Sequence, residues 1–151
     1  MPERGLKNLE AENHGLDKKL FAYLNKSIAA TPYYQLLNIE LRSLAPGSAE
    51  FQVIGGALHT NPMGLVHGGL ITSIADAAMG NAVRSLSVKG VSVDISVALP
   101  ATARLGETII ARGKVLKSGN NLLFAEALVH AGERLVGHGK ATFYKLADIK
   151  L

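Results

Sequence analysis

Apolar positions recur along this chain with two different periods, and each change of period marks an element. Leu16, Leu20, Phe21, Leu24 and Ile28 fall at helical spacing with Lys18, Lys19 and Lys26 between them, which predicts an amphipathic helix over 16–28, stopped by Pro32. Residues 36–44 and 48–54 read as two strands around a Pro46-Gly47 turn. From Gly68 to Val83 the chain is small or apolar, and Asp76 is the only charge between His67 and Arg84. A surface helix carries several charges along one side, so this run predicts a helix buried nearly all round. The period then becomes two. Val91, Val93, Ile95, Val97 and Leu99 predict a half-buried strand that Pro100 stops. Strands over 107–116, 121–131 and 134–144 follow, with Lys117-Ser118-Gly119-Asn120 as the hairpin turn between the first two. One face of the last strand reads Leu135, Gly137, Gly139, Ala141 and Phe143. It is small in the middle, so a bulky element lies against it, and the helix starting at Gly68 is the one that fits. Residues 1–14 are polar and expected to fray. The fold class expected is α+β, a curved antiparallel sheet wrapped around one central helix.

Composition narrows the classes of function. The 151 residues suit one domain with a proper core. The chain is 48% hydrophobic, yet no run of about 18 apolar residues exists to span a membrane. Its first residues lack the apolar core of a signal peptide. With no cysteine, disulfides, thiolate zinc sites and thiol nucleophiles are excluded. A cytoplasmic protein is the expectation. The net charge of +4 admits an anionic ligand, but the basic residues are scattered and aromatics make up only 5%, which argues against nucleic acid. His14, His59, His130 and His138 have no metal-ligand spacing and read as surface or turn histidines, so no metal is expected.

The candidate chemistry sits at the start of the central helix. Pro62 and Gly64 break regular structure, and Gly68-Gly69 open the helix. Unpaired N–H groups and the positive dipole end lie there, and glycine lets a ligand come close. That is an oxyanion-hole geometry. Bland readings stand beside this one. Asp76 could be a structural acid, Gly68 and Gly69 packing glycines, Asn61 a turn residue, Ser92 an ordinary strand serine and His67 a residue that shapes the loop. No Gly-x-Ser-x-Gly elbow supports a serine hydrolase.

The sequence resembles the hotdog-fold acyl-CoA thioesterases, in particular the small single-domain group of the phenylacetate pathway. The resemblance is carried by Asn61, Gly64, His67-Gly68-Gly69 and Asp76, then by Ser92 on the following strand, Pro100-Ala101 and Gly106-Glu107. It covers 32–144, the expected hotdog core of a single domain over 1–151. Residues 1–31 are expected to form an N-terminal helical extension. The resemblance implies thioester hydrolysis. The Gly68 N–H polarises the carbonyl, Asp76 is nucleophile or general base, Asn61 orients water or carbonyl, and Ser92 supports the acid. Substrate contacts are implied for His67 and Gly69, and for Lys117 and Gly119 beside the CoA phosphates, with Arg104 as a further phosphate candidate. No cofactor is implied, since CoA belongs to the substrate.

Spacing adds a result about assembly. Gly68 and Asp76 are eight residues apart, roughly 12 Å along a helix. An attacking carboxylate must come within about 3.5 Å of the carbonyl. If both act on one thioester they come from different subunits, which predicts a homodimer with shared sites; the resemblance implies that dimers pair into a homotetramer. Burial alone would neutralise Asp76, so donors such as Asn61 or Ser92 are expected to hold it ionised. A non-catalytic acyl-CoA-binding or sensing protein on the same fold is the alternative. A hotdog hydratase is disfavoured because no histidine follows Asp76 in the helix. The acyl group is left open, depending on how Leu58, Met63, Met79, Val83 and the N-terminal helix pack.

Overall fold

A computed structural model describes residues 9–151. The first eight residues, part of the stretch expected to fray, lie outside the described residues. Seven strands form one sheet: β1 (Glu12–Asn13), β2 (Glu40–Ala45), β3 (Ser48–Ile54), β4 (Val88–Ala98), β5 (Thr108–Ser118), β6 (Leu122–Ala131) and β7 (Arg134–Asp148). Their order is β1-β2-β3-β5-β6-β7-β4, antiparallel except where β1 pairs with β2. The helices are α1 (Lys18–Ala29), α2 (Pro32–Leu37) and α3 (Gly68–Arg84). The curved sheet wraps α3, as expected of the hotdog fold.

The glycines of the sheet explain how close α3 lies. A Cβ on Gly137 would sit 2.5 Å from Ile71 Cγ2, and one on Gly139 would sit 3.1 Å from Met79 Cε. Gly113 on β5 is tighter still: its Cβ would meet the Ala78 carbonyl carbon and oxygen at 2.5 Å. The helix answers with Ile74, Ala75, Ala78 and Met79, all buried against Phe51, Val53, Ala111 and Ala127.

Several local expectations change. Asp17, whose Oδ1 accepts from the Lys19 and Leu20 N–H groups, caps α1 and moves its start to Lys18. Glu12–Asn13 is a short strand against β2, not a frayed end. The strand expected from residue 36 begins only at Glu40. Pro32 both follows α1 and opens α2 at its first turn, and Asn38 at φ 57° ends α2 in the left-handed region. Six residues are too few to display a helical period. The last strand does not keep one face throughout. A bulge opposite Val129 and His130 leaves Leu135 exposed and turns Val136 inward beside Gly137. The hairpin turn is shorter than expected, since β5 carries Lys117 and Ser118. Finally, α3 is not buried all round: Gly69, Thr72, Ser73, Asp76, Gly80 and Arg84 make an open stripe.

The strand over 91–99 departs most. A bulge between Ser92 and Asp94 reverses its alternation. Ser92 pairs with the buried Phe143 and faces α3, while Asp94 pairs with Thr142 on the outer face and Ile95 with Ala141 on the inner one. β4 is also the sheet's edge, and it is not half-buried in the protomer: Val91, Val93, Ile95 and Leu99 are exposed, Val93 at 59%.

Candidate active site

The loop before α3 is built from its own hydrogen bonds. Asn61 Oδ1 accepts from the Met63 and Leu65 N–H groups at 2.9 and 3.1 Å. The Asn61 N–H donates to the Leu65 carbonyl, and Gly64, at φ 76°, donates its N–H to the Asn61 carbonyl. The carbonyl end of this side chain is therefore occupied in shaping the turn, and Nδ2 is left for any other partner. A bridge between Thr60 and Val66 closes the loop, and the His67 N–H donates to the His59 carbonyl at 2.7 Å. His59 corrects its reading as a surface or turn histidine. It is buried, accepting from the Gly56 N–H at Nδ1 and donating from Nε2 to the Leu37 carbonyl.

His67 caps α3. Its Nδ1 accepts from the Gly69 N–H at 2.8 Å, which requires the ring proton on Nε2. The Leu70 N–H bonds the His67 carbonyl. That leaves the Gly68 N–H, at the first helical position, without an acceptor among the described residues. It sits where the helix dipole is positive. A Cβ on Gly68 would approach Leu99 Cδ1 to 2.6 Å, so glycine keeps both the donor and Leu99 in place.

Asp76 lies on the open stripe of α3, facing a cavity of about 310 Å³. Ser92 lines the same cavity, along with Thr31, Tyr34, Gly80, Asn81 and Arg84. The β4 bulge is the reason: without it, the alternation that turns Ile95 inward would turn Ser92 outward. Burial pushes the Asp76 carboxyl above its usual value, and no donor among the described residues bonds it. The arrangement offers an unpaired backbone donor at one end of α3 and an unpaired carboxylate two turns along it.

A family model described as the thioesterase superfamily matches residues 63–138, half of the chain. Human acyl-coenzyme A thioesterase 13 is 33% identical over 108 residues, covering 69% of this chain and 77% of that protein. The chain belongs to the thioesterase superfamily. It is a thioester hydrolase. Among solved structures, a thioesterase family protein from Silicibacter pomeroyi is 28% identical with a TM-score of 0.78, covering 84% of this chain and 98% of that one. The PaaI protein from the phenylacetic acid degradation operon of E. coli shares the hotdog fold at a TM-score of 0.83 and 18% identity, covering 89% of this chain and 99% of its own.

In this thioesterase Lys117 and Gly119 lie apart from Asp76. The register runs Ser118–Leu123–Phe143–Ser92 across four strands, so the β5–β6 turn stands three strand spacings, about 14 Å, from Ser92. Gly119 spends its N–H on the Leu122 carbonyl. Arg104 is exposed, its backbone N–H bonded to Glu107. Met79 and Val83 are fully buried beneath the helix, and Leu58 and Met63 are exposed on the loop, so none of the four lines the cavity. The residues that do line it, Tyr34, Gly80, Asn81 and Arg84, escaped the sequence analysis. Gly80 and Arg84 follow Asp76 at intervals of four, which is the signal that could have found them. Among the described residues no helix is long and apolar enough to cross a membrane.

Proposed function

We propose that the protein is an acyl-CoA thioesterase in which Asp76 and the Gly68 N–H, from two subunits, act on one thioester. The observation that carries this is the unpaired carboxylate of Asp76 beside a cavity, with an unpaired helix N-terminal donor on the same helix and too far away to share a substrate with it. Acyl-CoA as substrate draws on the name of the human relative. The Gly68 N–H takes the charge that develops on the carbonyl oxygen, a contribution of roughly 3 kcal/mol. Asp76 either attacks the carbonyl carbon itself or takes a proton from the attacking water. Collapse of the tetrahedral intermediate breaks the C–S bond, and the departing thiolate of CoA takes up a proton; where Asp76 is the nucleophile, a water then hydrolyses the mixed anhydride to release the acid and restore the carboxylate. In this reading Ser92 Oγ, which lines the same cavity, donates to Asp76, and Asn61 Nδ2 donates to the water or carbonyl. Lys117 at the β5–β6 turn meets the phosphates at the far end of the extended CoA arm. No cofactor is needed.

The edge strand supports the dimer. β4 has eleven residues, carries exposed Val91, Val93 and Ile95, and leaves one row of backbone groups unpaired. Such an edge is an aggregation hazard unless another strand covers it. Antiparallel pairing with β4 of a second copy would cover it and make one continuous sheet. On the outer sheet face, exposed Phe124, Leu128 and Tyr144 offer a surface on which two dimers could assemble into a tetramer.

Free thiol release from a panel of acyl-CoAs tests the reading, with Asp76→Asn and Asp76→Ala beside wild type. Turnover falling about 100-fold or more in both variants, with assembly intact, is the expected result. Turnover that survives both changes moves the chemistry off Asp76. Acyl-CoA binding without any turnover returns the chain to a binding or sensing role.

A further inference from the structure

The cavity beside Asp76 runs on along α3 to a second polar cluster. Gly80 and Arg84 stand one and two turns beyond Asp76 on the same stripe, and Gly80 has no side chain to divide the space between them. Arg84 is half-buried. It donates to Asn81 Oδ1 at 3.0 Å and to Ser27 Oγ at 2.8 Å, and lies over the Tyr23 ring at 6.0 Å from its centroid. Among the described residues no carboxylate pairs with it. Two bonds leave part of its five-donor fork free. Tyr34 Oη, in the same cavity, accepts from Asn81 Nδ2 at 3.2 Å, and its own proton has no acceptor among the described residues. Burial holds the Tyr34 hydroxyl in its neutral, donating form. Among the described residues, a guanidinium with no carboxylate bonded to it and a phenol whose proton has no acceptor thus share the end of the cavity away from Asp76. Half-buried donors of this kind are partly stripped of water, so an anionic acceptor that reaches them gains more than it would at the open surface.

We propose that this cluster is the distal end of the acyl pocket, and that the enzyme selects acyl groups ending in a carboxylate, which accepts from Arg84 and Tyr34 while the thioester lies at Asp76. The inference rests on the acyl-CoA thioesterase reading and names its substrate class. Length follows from the helix. Residues 76 and 84 are about 12 Å apart along the axis, and the long Arg84 side chain can reach further back toward the N-terminus than the short one of Asp76, which shortens the gap. At roughly 1.3 Å per carbon, from C–C bonds near 1.5 Å, an acyl chain of about six to eight carbons spans what remains. Ser27 and Tyr23 belong to α1, so the N-terminal helix holds the specificity residue in position.

The experiment compares kcat/KM for adipoyl-CoA against hexanoyl-CoA, and for suberoyl-CoA against octanoyl-CoA, in wild type, Arg84→Met and Tyr34→Phe. The second variant keeps the ring that packs edge-on against Phe51 at 5.8 Å and removes only the hydroxyl. Wild type is expected to prefer the carboxylated member of at least one pair by about ten-fold or more, the scale of a charge-assisted hydrogen bond. Arg84→Met should abolish that preference and Tyr34→Phe should reduce it. A clamp that merely ties α1 to α3 would slow both members of a pair alike. Equal or faster hydrolysis of the plain thioesters by wild type, or a preference untouched in both variants, overturns the inference and leaves the thioesterase reading standing. Absence of hydrolysis across these four and every other acyl-CoA overturns both.

Discussion

Burial raises the Asp76 carboxyl above its usual value, so between the unfolded and folded values the native state holds this proton more tightly than the unfolded chain does. Stability from this group is therefore full below the unfolded value and is lost as pH rises through the folded one. Once ionised, the side chain on which the proposed chemistry rests weakens the fold. Asp76→Asn should accordingly be inactive yet melt higher than wild type at pH 7. The difference in melting temperature should vanish as pH falls below the ordinary aspartate range, which a calorimetric pH series would read. The acid limb of kcat/KM should bend above that ordinary range for the same reason. Gly113 makes a second prediction at this scale. Its missing Cβ is occupied by the Ala78 backbone, which cannot swing aside. Gly113→Ala should cost about 1–3 kcal/mol in denaturant unfolding, and Gly139→Ala less, because the flexible tip of Met79 is what it would meet. The sequence showed Gly137 and Gly139 as a small face, since they lie on an alternating strand. Gly113, flanked by Arg112 and Lys114, gave no such hint.

At the scale of the element, α3 depends on how its first turn is satisfied. His67 takes the Gly69 N–H and leaves that of Gly68 free. His67→Ala should lower stability by about 1 kcal/mol, and His67→Asn should recover most of it, as equilibrium unfolding would show. Gly68→Pro isolates the donor itself. Proline suits the first helical position, and the extended backbone of His67 (φ −66°, ψ 137°) suits the residue before it. The helix should survive, with Leu99 moving aside, while turnover falls on the order of 100-fold for want of one N–H. The start of α3 was readable from Gly68-Gly69, and its course from the uncharged run to Val83. Its open stripe was not, because small residues such as Gly80 look alike in sequence whether they pack against a sheet or line a cavity.

For the whole molecule the decisive geometry is the length of α3 against the reach of a carboxylate. Sites shared between subunits have a signature that sites within one subunit lack. Mixing Asp76→Asn with Gly68→Pro under conditions of subunit exchange should restore up to about a quarter of wild-type activity, since half the dimers are mixed and one of their two sites carries neither change. Each variant alone should stay inactive, and a mixture no better than its parts would refute the shared site. Ile95→Asp, by charging the edge strand, should prevent the proposed dimer, with sedimentation reporting monomers and activity lost.

The sequence by itself determined the central helix, the strands that surround it, and the family, because hydrophobic period and the spacing from Asn61 to Asp76 are local properties of the chain. It also determined that Gly68 and Asp76 stand too far apart to serve one thioester within one chain, since a helix has a fixed rise. Tertiary structure alone decided which face each residue presents. A single extra residue at the β4 bulge turns Ser92 toward Asp76, and another in β7 turns Val136 inward. Such a residue shifts every side chain after it to the opposite face, and no periodic pattern announces where it falls. The cavity wall from Tyr34 to Arg84 likewise joins residues about fifty positions apart in the chain. Packing of α1 and α2 across the open side of α3 brought them together.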